Sequence, residues 1–267
     1  MNTSRTAGLA AVIGAVLCLG PAGAQDAAST PKLSTAQPGD VRIFVAGSMR
    51  APVTAVKAQL EKATGHKVVI EAGESKTLQG EIEAGQPFEV AFLTTAVIDA
   101  VTGEGKTVAG STTPIAVVRI GVSVRGDAPK LDVTTQEGLK KALLGAHSIR
   151  RFFGVAASVP IVKNIFDKLD LNEATKDRLV LINNEQPVPE APLASGQYEL
   201  IINLISAIIP MKGWTYLGPI PEQFQMPVPH AAALGATGNA VLGRQVIAVM
   251  KSPEFEAALK ANGITRQ

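Results

Sequence analysis

A short apolar run followed directly by a helical pattern is the feature that most constrains the fold of this chain. Residues 41–49 read Val-Arg-Ile-Phe-Val-Ala-Gly-Ser-Met, and the apolar part is typical of a buried strand in a parallel sheet. The small residues Ala46, Gly47 and Ser48 then form a tight turn into a helix, whose first backbone N–H groups are unpaired and can bind an anion. Ser48 adds a hydroxyl to those donors, although a serine at this position can also act simply as a helix cap.

The same pattern recurs twice along the chain. Residues 67–71 and 88–93 are further strand-like runs, each followed by a small polar turn and a helical pattern. Successive strand–turn–helix units predict a parallel sheet with helices on its faces, in which ligands bind at the carboxyl ends of the strands. The three turns carry Ser48, Ser75 and Thr94. These hydroxyls indicate a polar pocket at one sheet edge, although turns favour Ser and Thr in any protein.

Arginines occur beside the predicted elements in the second half of the chain. Arg119 interrupts an apolar run over residues 115–125, where a guanidinium is costly to bury unless it is paired. It therefore either forms an internal ion pair or faces an anionic ligand. Arg150 and Arg151 precede the small residues 154–158, which lead into a further helix. Because arginine pairs well with carboxylates and oxyanions, these two are either ligand-binding residues or solvated surface charges.

The first 24 residues have the composition of a secretory signal peptide. An arginine is followed by an apolar stretch over residues 7–19, which is too short to anchor the chain in a bilayer. Residues 22–24 are small and predict cleavage before Gln25. Because the single cysteine, Cys18, lies in this segment, we expect a mature chain without disulfides or cysteine metal sites. In a Gram-negative cell this leader predicts a periplasmic location.

Composition excludes several functions for the mature chain. Residues 25–39 are rich in Ala, Ser, Thr and Pro and predict a flexible lead-in. The formal net charge of the full sequence is only +2, and one Trp and two Tyr offer little for bases to stack on, so no nucleic-acid partner is expected. The sequence contains no metal-ligand spacing, no phosphate-binding loop and no Ser-His-Asp signature. We therefore expect neither a metal nor a cofactor.

Several short motifs follow one another in order over most of the mature chain. They are FVAGS at 44–48, ESKTL at 74–78, IEAG at 82–85, RIGV at 119–122, VP at 159–160, ISAIIPMK at 205–212 and LGPIP at 217–221. In order and spacing they resemble the molybdate-binding branch of the periplasmic solute-binding proteins of ABC transporters. The resemblance implies a capture protein for a small anion, with an inner-membrane ABC permease as its partner and a monomeric state.

The resemblance also implies an architecture. It predicts a two-lobed α/β fold of the type II periplasmic-binding-protein class, with the ligand in the cleft between the lobes. Residues 40–118 and 227–267 would form the first lobe, and residues 119–226 the second. The two segments that cross between the lobes would act as the hinge.

The resemblance assigns ligand contacts residue by residue. The hydroxyls that bind the oxyanion fall on Ser48 and Ser75, and the backbone donors of a third turn fall near Ser158 and Val159. A tyrosine ligand of the family would fall at Asn203, and here the chain departs from the pattern. This departure, and the altered segment at 150–153, favour an anion of different shape from molybdate, such as a carboxylate.

An enzymatic alternative comes from the same resemblance, because the branch also contains proteins similar to periplasmic aconitate isomerase. An isomerase that moves a double bond must shift a proton between carbons and needs a positioned acid or base. Glu74, inside the second turn, and His230, in an apolar run, are the candidate catalytic residues. Lys76 and Glu185 are further candidates, and a histidine such as His230 can equally belong to the core or the hinge.

Overall fold

The computed structural model describes residues 36–128, 130–182 and 189–267. The predicted signal peptide with Cys18, most of the predicted lead-in and the candidate residue Glu185 lie outside the described residues. The described chain folds into two β-sheets with helices packed on them, which confirms the predicted α/β class. No helix in the described part of the chain is long and apolar enough to cross a membrane.

The first sheet has six strands. They are β1 (Val41–Ala46), β2 (Val68–Gly73), β3 (Val90–Thr94), β4 (Thr113–Val118), β10 (Val228–Leu234) and β11 (Thr265–Arg266), in the spatial order β11-β4-β10-β3-β1-β2. Strand β1 pairs in parallel with β2 and β3, whereas β10 runs antiparallel between β3 and β4. All six residues of β1 are buried, which explains its nearly unbroken apolar sequence.

Six helices accompany this sheet. They are α1 (Arg50–Ala55), α2 (Lys57–Thr64), α3 (Ser75–Glu83), α4 (Thr95–Gly103), α9 (Ala240–Met250) and α10 (Pro253–Ala261). The pattern after β1 predicts one continuous helix, but Val56, at φ −103° and ψ 14°, separates α1 from α2. Val56 is buried, and its β-branched side chain has a lower helix propensity than its neighbours.

The second sheet has five strands. They are β5 (Ile120–Gly126), β6 (Ser148–Phe152), β7 (Leu179–Ile182), β8 (Tyr198–Leu204) and β9 (Thr215–Pro219), in the spatial order β7-β6-β8-β5-β9. The helices associated with this part of the chain are α5 (Gln136–Gly145), α6 (Val159–Lys168), α7 (Asn172–Thr175) and α8 (Ile205–Ile208). Strand β6 is parallel to β7 and β8, and β5 is antiparallel to β8 and β9.

The chain crosses between the sheets at two places. The strand-like run over residues 115–125 is not one strand, because it divides at Arg119 into β4 of the first sheet and β5 of the second. The chain returns to the first sheet between β9 and β10. These crossings are the two connections that a hinge between lobes would need, and the predicted lobe boundaries stay a prediction.

Candidate functional site

A cavity of about 620 Å³ is bounded by residues that follow the ends of strands in both sheets. Its polar and charged lining includes Ser48, Arg50, Glu74, Ser75, Thr94, Ser158, Asn203 and Ser206. Alanine residues, Phe152 and Leu204 supply much of the rest of its wall. A pocket of this kind, with a few polar groups on a small-residue surface, is the usual form of a small-molecule site.

The register of the parallel strands explains why the first three hydroxyls meet. Ala46, the last residue of β1, pairs with Gly73, the last residue of β2, and β3 ends at Thr94 on the other side of β1. Ser48 and Ser75 each lie two residues beyond the end of their strand, at the start of the helical segment that follows. The carboxyl ends of parallel strands share one sheet edge, so the turns are neighbours.

Ser75 is tied to the neighbouring turn through its oxygen. The backbone N–H of Thr94 donates a hydrogen bond to Ser75 Oγ over 3.2 Å. Ser75 itself is buried and lines the cavity. Because the hydroxyl acts as acceptor for Thr94, its own proton remains to be donated elsewhere.

Ser48 is in contact with a residue far away in the sequence. Its Oγ lies 2.8 Å from Nε2 of His230, a fully buried residue of β10, and Nδ1 of the same ring lies 3.0 Å from the Val228 carbonyl oxygen. Burial lowers the pKa of His230 to about 4, because the charged imidazolium would be desolvated. His230 lies behind Ser48 and is not part of the described cavity wall.

The second sheet contributes three polar residues. Ser158 precedes α6, and its side chain makes no capping hydrogen bond to that helix. Asn203 is buried near the end of β8, and its Oδ1 accepts a hydrogen bond from the Leu204 N–H over 2.8 Å, which leaves the amide Nδ2 as donor. Ser206 is buried, and its Oγ has no hydrogen-bond partner among the described residues. All three residues line the cavity.

Val159 differs from the other predicted contacts. Its backbone N–H donates to the Ala156 carbonyl oxygen over 3.0 Å, and the described lining of the cavity does not include it. The predicted backbone donor at this turn is therefore already used within the turn.

The structure does not bring the three predicted arginines to the described cavity wall. Arg119 pairs with Glu222 over 2.5 Å at a solvated position. Arg151 lies over the ring of Phe166, with Cζ 5.2 Å from the ring centroid, and partial burial lowers its pKa. The apolar pattern around these residues could not reveal such partners, because the partners lie far along the chain.

Arg150 is buried beside an acidic partner, Glu199, which lies at the end of β8 away from the cavity. Its Nε donates to Glu199 Oε1 over 3.0 Å, and Arg125 Nε donates to Glu199 Oε2 over 2.6 Å. Glu199 lies four residues before Asn203 on β8, so the two are separated by roughly 13 Å along the strand. Of the two roles considered for Arg119, an internal ion pair or a contact with an anionic ligand, the ion pair is also the one that Arg150 has.

Two charged side chains remain on the cavity wall, and they have opposite signs. Arg50, in the first turn of α1, donates from Nη2 to the Ala72 carbonyl oxygen over 2.9 Å and is exposed. Glu74 immediately precedes α3. Lys76, one of the candidates for proton transfer, donates instead to Gln79 Oε1 over 2.8 Å and lies outside the described lining. The remaining polar groups of the wall are neutral hydroxyls and amides.

Comparison with known proteins identifies the family. Residues 41–265 match the family model described as bacterial extracellular solute-binding protein. The chain belongs to this family of solute-binding proteins. The match covers nearly all of the described structure, including every strand that contributes to the cavity.

Two relatives of this solute-binding protein differ from each other in function. It is 24% identical to an aconitate isomerase of a Pseudomonas species over 243 residues, covering 89% of this chain and 92% of that protein. It is 28% identical to a molybdate-binding protein of Azotobacter vinelandii over 240 residues, covering 85% of this chain and 90% of that protein.

A solved structure shares the fold. The periplasmic molybdate-binding protein of Azotobacter vinelandii superposes with a TM-score of 0.63 at 21% identity, covering 84% of this chain and 98% of that chain. The predicted α/β fold of the periplasmic solute-binding proteins is thereby confirmed.

Several residues of the cavity in this solute-binding protein were not predicted from the sequence, among them Arg50, Phe152 and Ser206. Arg50 lies two positions after Ser48, where its charge is typical of any surface helix, and Phe152 ends β6 directly after Arg150 and Arg151. Ser206 lies three residues after Asn203, inside one of the motifs that support the resemblance. Its position in that motif is the one signal that could have identified it. Among the described residues, no group of three or more His, Cys, Asp or Glu is placed to bind a metal.

Proposed function

We propose that this chain is a periplasmic solute-binding protein that captures a small anion and delivers it, as a monomer, to an ABC permease of the inner membrane. The observation that carries the proposal is the cavity itself, whose hydroxyl and amide groups come from both sheets. The family match and the molybdate-binding relative support the same role.

In the proposed site, mostly uncharged polar groups hold the anion. Ser48 and Ser75 contact it from the first sheet, with Thr94 beside them, and Ser158, Asn203 and Ser206 contact it from the second. Fixed, buried dipoles of this kind bind charge effectively because water is excluded and little reorganisation is needed. Val159, Arg119, Arg150 and Arg151 make no direct contact with the anion in this proposal.

Closure of two lobes would couple binding to transport. The proposed lobes, 40–118 with 227–267 and 119–226, are joined by the crossings at Arg119 and between β9 and β10. Hinge motion about such short connections is a common response to ligand binding. A ligand that contacts both lobes stabilises the closed form, and the permease would recognise that form.

The decisive experiment is a ligand screen on protein purified from the periplasm after expression of the full chain. Thermal shift and calorimetry would be run with molybdate, tungstate, sulfate, phosphate, citrate and both aconitate isomers. A ligand at 100 times its dissociation constant adds about 2.7 kcal/mol of stability. An anion that binds, and whose binding Ser75→Ala weakens, supports the proposal, whereas no response to any anion contradicts it.

Two further measurements use the same sample. Mass spectrometry tests the predicted cleavage before Gln25, and sedimentation tests the proposed monomeric state.

A second candidate function, isomerisation of a tricarboxylate, is favoured by one specific observation. Glu74 lines the cavity that also contains Ser48, which is hydrogen-bonded to His230, and the Pseudomonas relative is an aconitate isomerase. Glu74 would move the proton between carbons, and His230 would act through Ser48.

The test of this second function is NMR of cis-aconitate incubated with the protein in D2O. Appearance of the trans isomer, lost in Glu74→Gln while binding remains, supports the enzyme, and an unchanged spectrum contradicts it.

A further inference from the structure

The hydrogen bonds around His230 fix the position of its proton. Nδ1 lies 3.0 Å from the Val228 carbonyl oxygen, and a carbonyl oxygen can only accept. Nδ1 therefore carries the hydrogen. In the neutral ring Nε2 is then a bare acceptor, and neutrality is the state that burial in the first sheet favours.

The position of that proton determines the direction of the hydrogen bond to Ser48. Ser48 Oγ lies 2.8 Å from Nε2, so its single hydroxyl proton is donated to the ring. What Ser48 presents to the cavity is then the lone-pair side of its oxygen. A ligand atom that contacts Ser48 must bring its own hydrogen, because two acceptors facing each other repel.

Ser75 has the opposite arrangement, although it occupies the equivalent place after the next strand. Its oxygen accepts from the Thr94 N–H over 3.2 Å, which leaves the hydroxyl proton available for donation to a ligand in the cavity. Asn203 is likewise a donor toward the cavity, since Leu204 occupies its Oδ1. The wall therefore offers acceptor character at Ser48 and donor character at Ser75 and Asn203.

We infer that the ligand is a small hydroxycarboxylate, with its hydroxyl donating to Ser48 and its carboxylate oxygens accepting from Ser75 and Asn203. This inference rests on the proposed function and specifies the anion. Arg50 at the cavity wall supplies the positive charge that a carboxylate pairs with well. A fully ionised tetrahedral oxyanion such as molybdate has no hydrogen to offer Ser48. The cavity, at about 620 Å³, also has room for a branched acid.

The test compares acids that differ only by the hydroxyl. Calorimetry at pH 7.5 would measure citrate against tricarballylate, malate against succinate, and lactate against propionate. For at least one pair we expect the hydroxy acid to bind about tenfold or more tightly than its deoxy partner, because the deoxy acid leaves Ser48 unsatisfied.

Variants identify the residues responsible for this preference. His230→Leu removes the acceptor that holds the Ser48 proton, and it should reduce the preference to less than about threefold. Ser48→Ala should have the same effect and keeps the histidine, so it carries the test if His230→Leu does not fold. Ser75→Ala is the control, since it should weaken both members of a pair while preserving their ratio.

Other outcomes overturn the inference. Equal affinities within every pair, or tighter binding of the deoxy acids, would show that Ser48 does not act as an acceptor. Uptake of one proton on binding, abolished in His230→Leu, would mean that His230 becomes charged and Ser48 donates, which also overturns it. Binding of molybdate or sulfate without any carboxylate would refute the inference yet leave anion capture intact, whereas binding of no anion would refute both.

Discussion

Arg150 and Glu199 form an ion pair inside the second sheet, with Nε of the arginine 3.0 Å from Oε1 of the glutamate and both side chains almost fully buried. Arg125 donates to the other carboxylate oxygen over 2.6 Å, and Ser148 Oγ donates to Oε1 over 2.7 Å. One buried carboxylate thus contacts two guanidinium groups, and Arg125 Nε also lies 3.8 Å from Oε2 of Glu190. The strands β5, β6 and β8 meet at this group, so it joins the middle of the sheet.

Neutralising Glu199 should therefore destabilise the protein strongly. Glu199→Gln removes the carboxylate charge that Arg150 and Arg125 share inside the sheet, and loss of one member of a buried ion pair typically costs about 3–5 kcal/mol. Urea denaturation would measure the change in unfolding free energy. Glu173→Gln is the matched control, because Glu173 pairs with Lys176 over 2.8 Å at an exposed site and should leave the midpoint unchanged. A comparable loss in both variants would contradict this account.

Acid should destabilise the protein through His230. The pKa of this histidine is lowered from 6.5 to about 4 in the folded state, so the unfolded chain binds a proton first as the pH falls. The contribution to stability is complete above pH 6.5 and is lost progressively between pH 6.5 and 4. The loss amounts to roughly 3 kcal/mol over that window. Denaturation curves at several pH values should show it in the wild type.

His230→Leu provides the comparison for the pH experiment. The variant is expected to be less stable at pH 7 because Ser48 loses its partner, but the part of the acid dependence due to His230 should disappear. The difference in unfolding free energy between wild type and variant should therefore shrink as the pH falls from 6.5 to 4. A constant difference over this range would argue that His230 is not held neutral by its burial.

Local sequence patterns were sufficient to predict most of the strands and helices of the fold. The apolar runs before Ser48 and Thr94 are strands because a buried parallel strand needs apolar residues on both faces, and that requirement is visible in the sequence itself. The same argument places the three turns at one edge without knowledge of any tertiary contact. The division at Arg119 is different, since whether an apolar run continues in one sheet or changes to another depends on which strands lie beside it.

Local patterns could not predict contacts between side chains that lie far apart in the sequence. The contact of Ser48 with His230 joins residues 182 positions apart, and that of Arg150 with Glu199 joins residues 49 apart. Neither contact follows from helical or strand periodicity, which describes only near neighbours. Consequently the hydroxyls of the cavity could be predicted by position, whereas the direction of their hydrogen bonds and the placement of the arginines required the structure.

Close packing beside Asn203 makes Gly121 sensitive to substitution. Gly121 pairs with Asn203 across β5 and β8, and a Cβ there would lie 2.8 Å from Ile205 Cγ1 and 2.9 Å from the Gly218 carbonyl oxygen. Gly121→Ala should cost about 1–3 kcal/mol through this overpacking and weaken ligand binding, because Ile205 starts the helix that carries Ser206. Denaturation and calorimetry would measure both effects. Gly80→Ala, on an exposed helix position with open space, should instead be neutral or slightly stabilising.

Substitution of Ser206 should affect the stability of the protein and its affinity for the ligand in different directions. Ser206 Oγ is buried without a hydrogen-bond partner among the described residues, so Ser206→Ala should leave the ligand-free protein equally stable or up to about 1 kcal/mol more stable. Because Ser206 lines the cavity, the same change should weaken anion binding by about tenfold. Ser123 is the matched control, since its buried Oγ also lacks a described partner but lies in β5 away from the described cavity wall. Ser123→Ala should reproduce the stability effect and leave affinity unchanged, as denaturation and calorimetry on both variants would show. If the two variants bind the anion equally well, Ser206 is a buried packing residue rather than a ligand contact.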